Sequence, residues 1–385
     1  MPTTAIKNLA YRALLPMRAP RIPAHPIRFV TGHALCARPA LERILRRNHV
    51  LGAATWIEVG TENALILSGC DQPQRNPAEG TFFRVASITK MATAMVALNL
   101  AGRGLLDLDA PVSEVWEIAA GVPEMEGVTA RHLLSHTSGL ADPPDLEAML
   151  NAGAEVTRAL AGAHLTAPGA AFRYSNLGFG LLGCILEAVC GEPLPRIFEE
   201  TLFRPLGMNA ALEGCRLPPE KIMPISRVMP YAAGKEVRVT PLGRKPLDAP
   251  DPLRHWGHTA GSLYTDIGSL RRMLRCVRDG GAPVLTPALA GEMIRAHAEY
   301  GALSPTLSYG LGALIIRDAK LSSHRIVGHQ GFAYGCVDGA FYEEDTGRMM
   351  ITLNGGCSEA RKGRMGLNNQ QMLDWALNRE MPLWS

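Results

Sequence analysis

Strand-forming residues cluster at the two ends of this chain and a long helix-forming stretch lies between them, which limits the fold more than any other feature. Near the start, residues 53–59 and 64–68 are β-prone, and Gly60-Thr61-Glu62-Asn63 between them has hairpin chemistry. Near the end, strands are predicted over 311–316, 324–328, 337–342 and 349–353, with a closing helix over 370–378. The middle, from residue 87 to about 212, reads as mainly helical, with breaks at Gly121 to Pro123, Pro143-Pro144 and Pro168-Gly169. Helices are also predicted at 41–48, 262–278 and 287–297. Residues 213–256 are rich in proline, arginine and short β-prone pieces such as Glu236-Val237-Arg238-Val239, which reads as long loops over one face. A sheet assembled from both ends, with the helical part inserted into it, satisfies this order. The chain then divides into a basic arm (1–40), a sheet domain (41–86 with 260–385) and a mainly helical subdomain carrying substrate-shaping loops (87–259).

Composition agrees with a packed globular protein. Of 385 residues, 47% are hydrophobic and 19% charged, enough for one large or two medium domains around a substantial core. A net charge of +3 is too slight to argue for nucleic acid, and no basic run is interleaved with aromatics. A small-molecule or peptide substrate is the better expectation; the oligomeric state is not legible. The eight cysteines are scattered, without a CxxC pair or a zinc-like Cys/His spacing, and read as reduced core residues. No metal or other cofactor is called for.

The first 41 residues hold no acid but include Lys7, Arg12, Arg18, Arg21, Arg28 and Arg38. Leu9 to Pro16 is interrupted by Arg12, so it lacks the unbroken apolar core of a secretory signal, and no run approaches a membrane span. The expectation is a basic arm wrapping the surface of a cytoplasmic protein with no stable membrane insertion.

Chemistry enters with Ser87-Ile88-Thr89-Lys90, a hydroxyl and an amine three residues apart at what reads as a helix start, on one helix face. A serine hydroxyl needs a base to become a nucleophile, and a lysine is a base only when its ammonium form is destabilised. Burial and the positive end of a helix both act in that direction. Two further groups fit the same site. Tyr174-Ser175-Asn176 follows Pro168-Gly169 and precedes a small-residue apolar helix, which puts the tyrosine on a loop. His329-Gln330-Gly331 ends a β-prone run before Phe332, where a strand can line a cleft with its N–H groups.

In these motifs and their order the sequence resembles the serine β-lactamase and penicillin-binding superfamily, and more closely the branch that holds class C β-lactamases, D-amino-acid peptidases and amidases, and β-lactamase-like esterases. Ser87-Ile88-Thr89-Lys90 matches the Ser-x-x-Lys motif, Tyr174-Ser175-Asn176 the Tyr-x-Asn motif, and His329-Gln330-Gly331 the third motif in its His-x-Gly form. The stretches His132 to Leu140, Pro205 to Met208 and Ala260 to Thr265 look like hallmarks of the same family, and the likeness runs from about residue 40 to the end.

The resemblance implies an α+β fold, an α/β sandwich with an antiparallel sheet flanked by helices. It implies Ser87 as nucleophile, Lys90 as base, Tyr174 as proton relay and Asn176 as partner to Lys90 and the substrate. His329, Gly331 and Phe332 would orient substrate, with the N–H groups of Ser87 and Phe332 as the oxyanion hole. The activity implied is serine hydrolysis of esters, amides or D-amino-acid-containing peptides through an acyl-enzyme. The alternatives are an acyltransferase or peptide cyclase, a weak β-lactamase or DD-peptidase, and a non-catalytic penicillin-binding-like sensor.

The third motif departs from the Lys-Thr-Gly of β-lactamases. His329 offers a cation to a substrate carboxylate only part of the time near neutral pH, so carboxylate-dependent activity is expected to fall as pH rises through its pKa. Tyr334, after Ala333, is expected to bring an aromatic group near the cleft and favour apolar acyl groups.

Overall fold

The computed structural model describes residues 27–31 and 38–377, apart from 71–72, 162, 164–165, 229–235 and 303, together with four isolated positions before residue 27. The elements that build the site are, in chain order, β1 (Ile27–Thr31), α1 (Arg38–Arg47), β2 (Ala53–Val59), β3 (Glu62–Ser68), β4 (Phe83–Arg84), α2 (Thr89–Gly102), α3 (Asn176–Cys190), β5 (Ala210–Ala211), β6 (Tyr264–Thr265), α4 (Ile267–Arg278) and α5 (Pro287–Ile294). They are followed by β7 (Ala298–Glu299), β8 (Leu307–Tyr309), β9 (Leu314–Ile316), β10 (Ile326–Ala333), β11 (Cys336–Glu343), β12 (Met349–Asn354) and α6 (Leu367–Leu377).

Nine strands form one antiparallel sheet in the order β1-β3-β2-β12-β11-β10-β9-β8-β7. The two ends of the chain meet in its middle, where β2 pairs with β12 from Ala53↔Asn354 to Glu58↔Met349. The fold is α+β, as the distribution of strand-forming residues implies. Gly60-Thr61 closes the β2–β3 hairpin between Val59 and Glu62, with Gly60 at φ +60° taking the conformation a two-residue turn demands of its first residue. Both faces of the central strands are buried, and one hydrophobic cluster runs from Ile27 on β1 to Leu377 on α6.

Local signals were read less well than the architecture. Residues 27–31, assigned to a surface arm, form β1 and pair with β3 at the sheet edge; most of the remaining arm lies outside the described residues. The predicted helix at 262–278 is interrupted. Tyr264 and Thr265 form β6, the centre of a small sheet with β4 and β5, because an aromatic and a β-branched residue pair well there. α4 begins only after Asp266, whose Oδ1 accepts from Ser269 N–H at 2.7 Å as an N-cap. Of the predicted strand 311–316 only Leu314–Ile316 is a strand, β9, paired with β8; 311–313 lie in the turn between the two. In the 213–256 region, Ile225 bridges Val237, Ile222 bridges Phe82, and the other described residues run through short turns.

α2 is apolar all round and buried on nearly every side, as a central helix must be. α3 is capped by Ser175 Oγ accepting from Gly178 N–H at 2.9 Å. A Cβ on Gly180 would lie 2.0 Å from the Trp256 carbonyl oxygen, so only glycine lets α3 approach the 256–261 segment this closely. That approach brings the Ala260 carbonyl to α2. Among the described residues no single helix is long and apolar enough to cross a membrane.

Candidate active site

Ser87 does not lie on the long helix. It sits in a single 3₁₀ turn, Ala86–Ile88, directly before α2. Ala86 has φ +46°, an unfavourable conformation for a residue with a Cβ, of order 1 kcal/mol or more. Thr89 holds this turn: its hydroxyl donates to the Ala86 carbonyl at 2.6 Å and accepts from Leu263 N–H at 3.1 Å.

Lys90 is fully buried in the first turn of α2. Its Nζ lies 3.1 Å from Ser87 Oγ, 2.9 Å from Asn176 Oδ1 and 2.6 Å from the Ala260 carbonyl oxygen. Two of these partners can only accept, so they take two N–H bonds from the amine. The third is a hydroxyl, which can donate to a free lone pair. The site therefore suits a neutral amine. Burial lowers the Lys90 pKa to about 7, opposed by the Asp142 carboxylate and assisted by the Arg84 charge.

Asn176 is held in one orientation. Asp142 Oδ2 accepts from its Nδ2 at 2.8 Å, which leaves Oδ1 facing Lys90. The other oxygen of Asp142 accepts from Ser175 Oγ at 3.0 Å and Leu177 N–H at 2.9 Å, placing a carboxylate at the start of α3 where the helix dipole favours it.

Tyr174 is half-buried on the loop before α3 and hydrogen-bonds Ser87. Burial raises its phenol pKa well above the ordinary value, outweighing the lowering effect of that bond. Its ring centroid is 5.0 Å from Lys90 Nζ and 4.2 Å from the ring of His136. His136, at φ +58°, accepts from Ser175 N–H through Nδ1 at 3.1 Å. Burial keeps it neutral, with further lowering by Lys90 and His329.

The third motif lies within β10, not after a strand. β9 pairs with β10 only as far as Gly328, so residues 329–333 turn one edge to the cleft. Tyr334 (φ +54°) and Gly335 (φ +99°) make the two-residue turn to β11, both with the positive φ of a type I′ hairpin. The closing pair Ala333 and Cys336 then exchange hydrogen bonds. By the alternation of an antiparallel ladder, Phe332 N–H points away from β11 into the cleft. A Cβ on Gly331 would lie 2.4 Å from the Val85 carbonyl oxygen, so glycine lets β10 press against the Ser87 turn.

His329 differs from expectation. Its Nδ1 faces the Gln330 carbonyl oxygen at 2.7 Å, which only accepts, and its Nε2 lies 2.9 Å from Tyr309 Oη. Burial, aided by the Lys90 charge, lowers its pKa to about 3, against the bond to Gln330. It is a neutral, buried side chain near neutral pH. This environment gives no support to the anticipated dependence of carboxylate binding on its charge.

The cleft has a volume of about 780 Å³ and includes Ser87, Tyr174, Asn176, His329 and Phe332 in its lining. Tyr334 lines it too, yet its ring lies 5.1 Å from the Arg84 guanidinium and its hydroxyl donates to Glu147 at 2.7 Å. This side of the cleft is charged, not the apolar surface expected. On the other side the Arg361 guanidinium stacks 3.7 Å from the Phe332 ring centroid. Thr89, Asp142, His136, Arg84 and the Ala260 carbonyl were not singled out for roles from sequence. His136 and Ala260 fall inside hallmark stretches, which was the available signal.

The family model described as Beta-lactamase matches residues 37–355. The chain belongs to the Beta-lactamase family. Among curated relatives, esterase EstB of Burkholderia gladioli is 37% identical over 34% of this chain and 38% of its own length. The D-alanyl-D-alanine-carboxypeptidase/endopeptidase AmpH of Escherichia coli (strain K12) is 32% identical over 41% of this chain and 44% of its own. The chain thus spans less than half the length of these relatives in the matches. Among solved structures, EstCE1, described as a hydrolase with promiscuous acyltransferase activity, superposes with a TM-score of 0.71 at 25% identity, covering 88% of this chain and 97% of its own. A D-stereospecific amidohydrolase from Streptomyces sp. shares the fold, with a TM-score of 0.69 at 23% identity over 89% and 97% of the two chains.

Proposed function

We propose that the protein is a serine hydrolase that forms a covalent acyl-enzyme on Ser87 and cleaves carboxylic esters, or amide bonds of small peptides. The observation that carries this reading is the environment of Lys90: a buried amine with two obligate acceptors and one hydroxyl, its pKa lowered by burial to about 7. The neutral amine takes the Ser87 proton as Oγ bonds to the substrate carbonyl carbon. The oxyanion is received by the N–H groups of Ser87 and Phe332. As the intermediate collapses, the bond to the leaving group breaks and the proton held by Lys90 passes through the Tyr174 phenol to the departing oxygen or nitrogen. Its raised phenol pKa keeps Tyr174 protonated and unable to take the Ser87 proton, which leaves abstraction to Lys90; Tyr174 then relays, gaining the Lys90 proton as it passes its own on. Water attacks the acyl-enzyme by the reverse path.

EstB and AmpH carry ester and peptide hydrolase names in the two curated relatives cited, and both bond types are within this mechanism. The acyltransferase reading has support in the name of EstCE1 and in the acyltransferase calJ of Penicillium decumbens, 33% identical over 30% of this chain. A neutral His329 supplies no cation at the third motif, so the carboxylate of a penicillin would have to be met by one of the cleft arginines instead.

The deciding experiment treats wild type and Ser87→Ala with a fluorophosphonate probe, then assays both on p-nitrophenyl esters, D- and L-amino-acid amides and a chromogenic cephalosporin, with and without an alcohol acceptor. Labelling of wild type alone, with hydrolysis of esters or amides, is expected. Absence of labelling of wild type would sink the hydrolase reading, and ester product formed only with the alcohol would replace it by acyl transfer.

A further inference from the structure

The two sides of the cleft are chemically different. Tyr174 hydrogen-bonds Ser87 on the side of the cleft where the Arg361 charge acts on its phenol and Tyr300 joins the lining. Under the acyl-enzyme reading, the leaving group must lie there, within reach of the phenol that protonates it. The acyl portion then points to the other side, where Arg84, Glu147, Leu150, Gly261 and Tyr334 line the cleft.

Arg84 sits on β4, three residues before the nucleophile. It is only 8% exposed, yet it lines the cleft. Its Nε and Nη1 are buried and have no hydrogen-bond partner, and among the described residues it makes no ion pair. Buried guanidinium N–H groups without acceptors carry a desolvation cost, which the Tyr334 ring 5.1 Å away offsets only in part because it accepts no hydrogen bond from them in the plane of the fork. The nearby acid Asp338 makes no hydrogen bond or ion pair to it: burial pushes the Asp338 carboxyl up, against the lowering effects of the Asn354 N–H and the Arg84 charge, and its Oδ2 is itself unpartnered. Glu147 is occupied by the Tyr334 hydroxyl. Arg173, Arg361 and Arg364 add to the positive lining of the cleft, Arg227 does so while paired with Glu359 at 3.7 Å, and among the described residues Glu147 is the only acid in that lining. Such a field concentrates anions at the mouth. Arginine's planar fork matches a carboxylate in two parallel hydrogen bonds.

We propose that Arg84 binds a carboxylate on the acyl portion of the substrate, so that the preferred substrates are monoesters or monoamides of dicarboxylic acids. This rests on the acyl-enzyme reading of Ser87.

The test compares three esters on the full chain: p-nitrophenyl hemiglutarate, its uncharged counterpart p-nitrophenyl hexanoate, and 3-carboxyphenyl hexanoate, which carries the carboxylate on the leaving group. Rates are corrected for spontaneous hydrolysis. Wild type should favour hemiglutarate over hexanoate in kcat/KM by about tenfold or more, a gain of the size expected for one charge-assisted pair. Arg84→Gln should abolish that ratio mainly through KM, and Arg84→Lys should keep part of it. Monomethyl glutarate should compete with hexanoate hydrolysis by wild type, which reads the same site without any variant that could misfold. An equal ratio in wild type and Arg84→Gln, a preference for the carboxyphenyl ester, or no competition by monomethyl glutarate each overturns the proposal. If hexanoate is cleaved without any carboxylate preference, only the Arg84 assignment fails. If Ser87 is not labelled and no ester is cleaved, it is the hydrolase reading that fails.

Discussion

Lys90 is placed where its charge is least welcome, and this has opposite consequences for activity and stability. Since the base must be the neutral amine, kcat/KM on an uncharged ester should rise with pH to a plateau, with a midpoint near the value of about 7. Two neighbouring charges shift that midpoint in opposite directions. Asp142→Asn removes a carboxylate that stabilises the ammonium, so the midpoint should move to lower pH; Arg84→Gln removes a like charge and should move it up. Shifts of the same sign in both pH–rate profiles would refute Lys90 as the titrating base. Stability runs the other way. In the unfolded chain the lysine keeps its proton up to about 10.4, so its burial costs stability in full below pH 7, and progressively less as pH rises toward that value. Lys90→Met should therefore raise unfolding free energy by roughly 1–3 kcal/mol at pH 6, measured by urea denaturation, and lose the gain by pH 10 while abolishing turnover. At this scale the pairing of Ser87 with Lys90 was legible because three residues of sequence separation fix it. Asp142 and the Ala260 carbonyl were not, since they reach Lys90 only through chain reversals or a backbone atom that a side-chain pattern does not display; Arg84 is near in sequence, but its burial against the cleft is not a property a strand pattern displays.

At the scale of elements, the site depends on how closely β10 can approach the turn that carries Ser87. The missing side chain at Gly331 sets that distance, with the Val85 carbonyl oxygen 2.4 Å from where a Cβ would lie. Backbone atoms on both sides leave little room to yield. Gly331→Ala should displace Phe332 N–H from the oxyanion and lower kcat by about 10²–10³-fold, the effect of losing one such donor, with a smaller change in KM. Retained kcat would show that Phe332 is not the donor. The strand and the glycine are legible as a motif, whereas the reason for the glycine is not, because β-propensity marks a strand without saying what presses on it. The same limitation explains the misread helix at 262–278: periodicity favoured a helix, and pairing of Tyr264 and Thr265 with β4 and β5 overrode it. The β-branched and hairpin signals of β2 and β3 were local, and they were read within two residues.

Over the whole molecule, the order of strands dictates how the parts depend on one another. β2 and β12 are neighbours although some 300 residues of chain separate them, so closing the sheet brings together two segments that flank the whole helical part, a pairing of high sequence separation. That middle part has no core of its own: α2 and α3 share the hydrophobic cluster that includes the sheet strands, and Gly312 N–H beside β9 donates to the Leu134 carbonyl at 2.9 Å. The sequence order of strands and helices was enough to imply this insertion, whereas the sharing of one core was not, since composition looks the same for one domain or two. The expectation is a single cooperative unfolding transition. Tryptophans report on separate regions, Trp56 on β2, Trp116 in the helical part and Trp256 beside α3. Their fluorescence, the far-UV circular dichroism and the loss of fluorophosphonate labelling at Ser87 should fall on one denaturation curve. A helical segment spanning residues 87–259 expressed alone should lack a cooperative transition, because excision exposes the apolar faces that α2 and α3 bury against the sheet. Labelling lost well before the sheet signal, or a folded isolated segment, would instead make the helical part an independent domain.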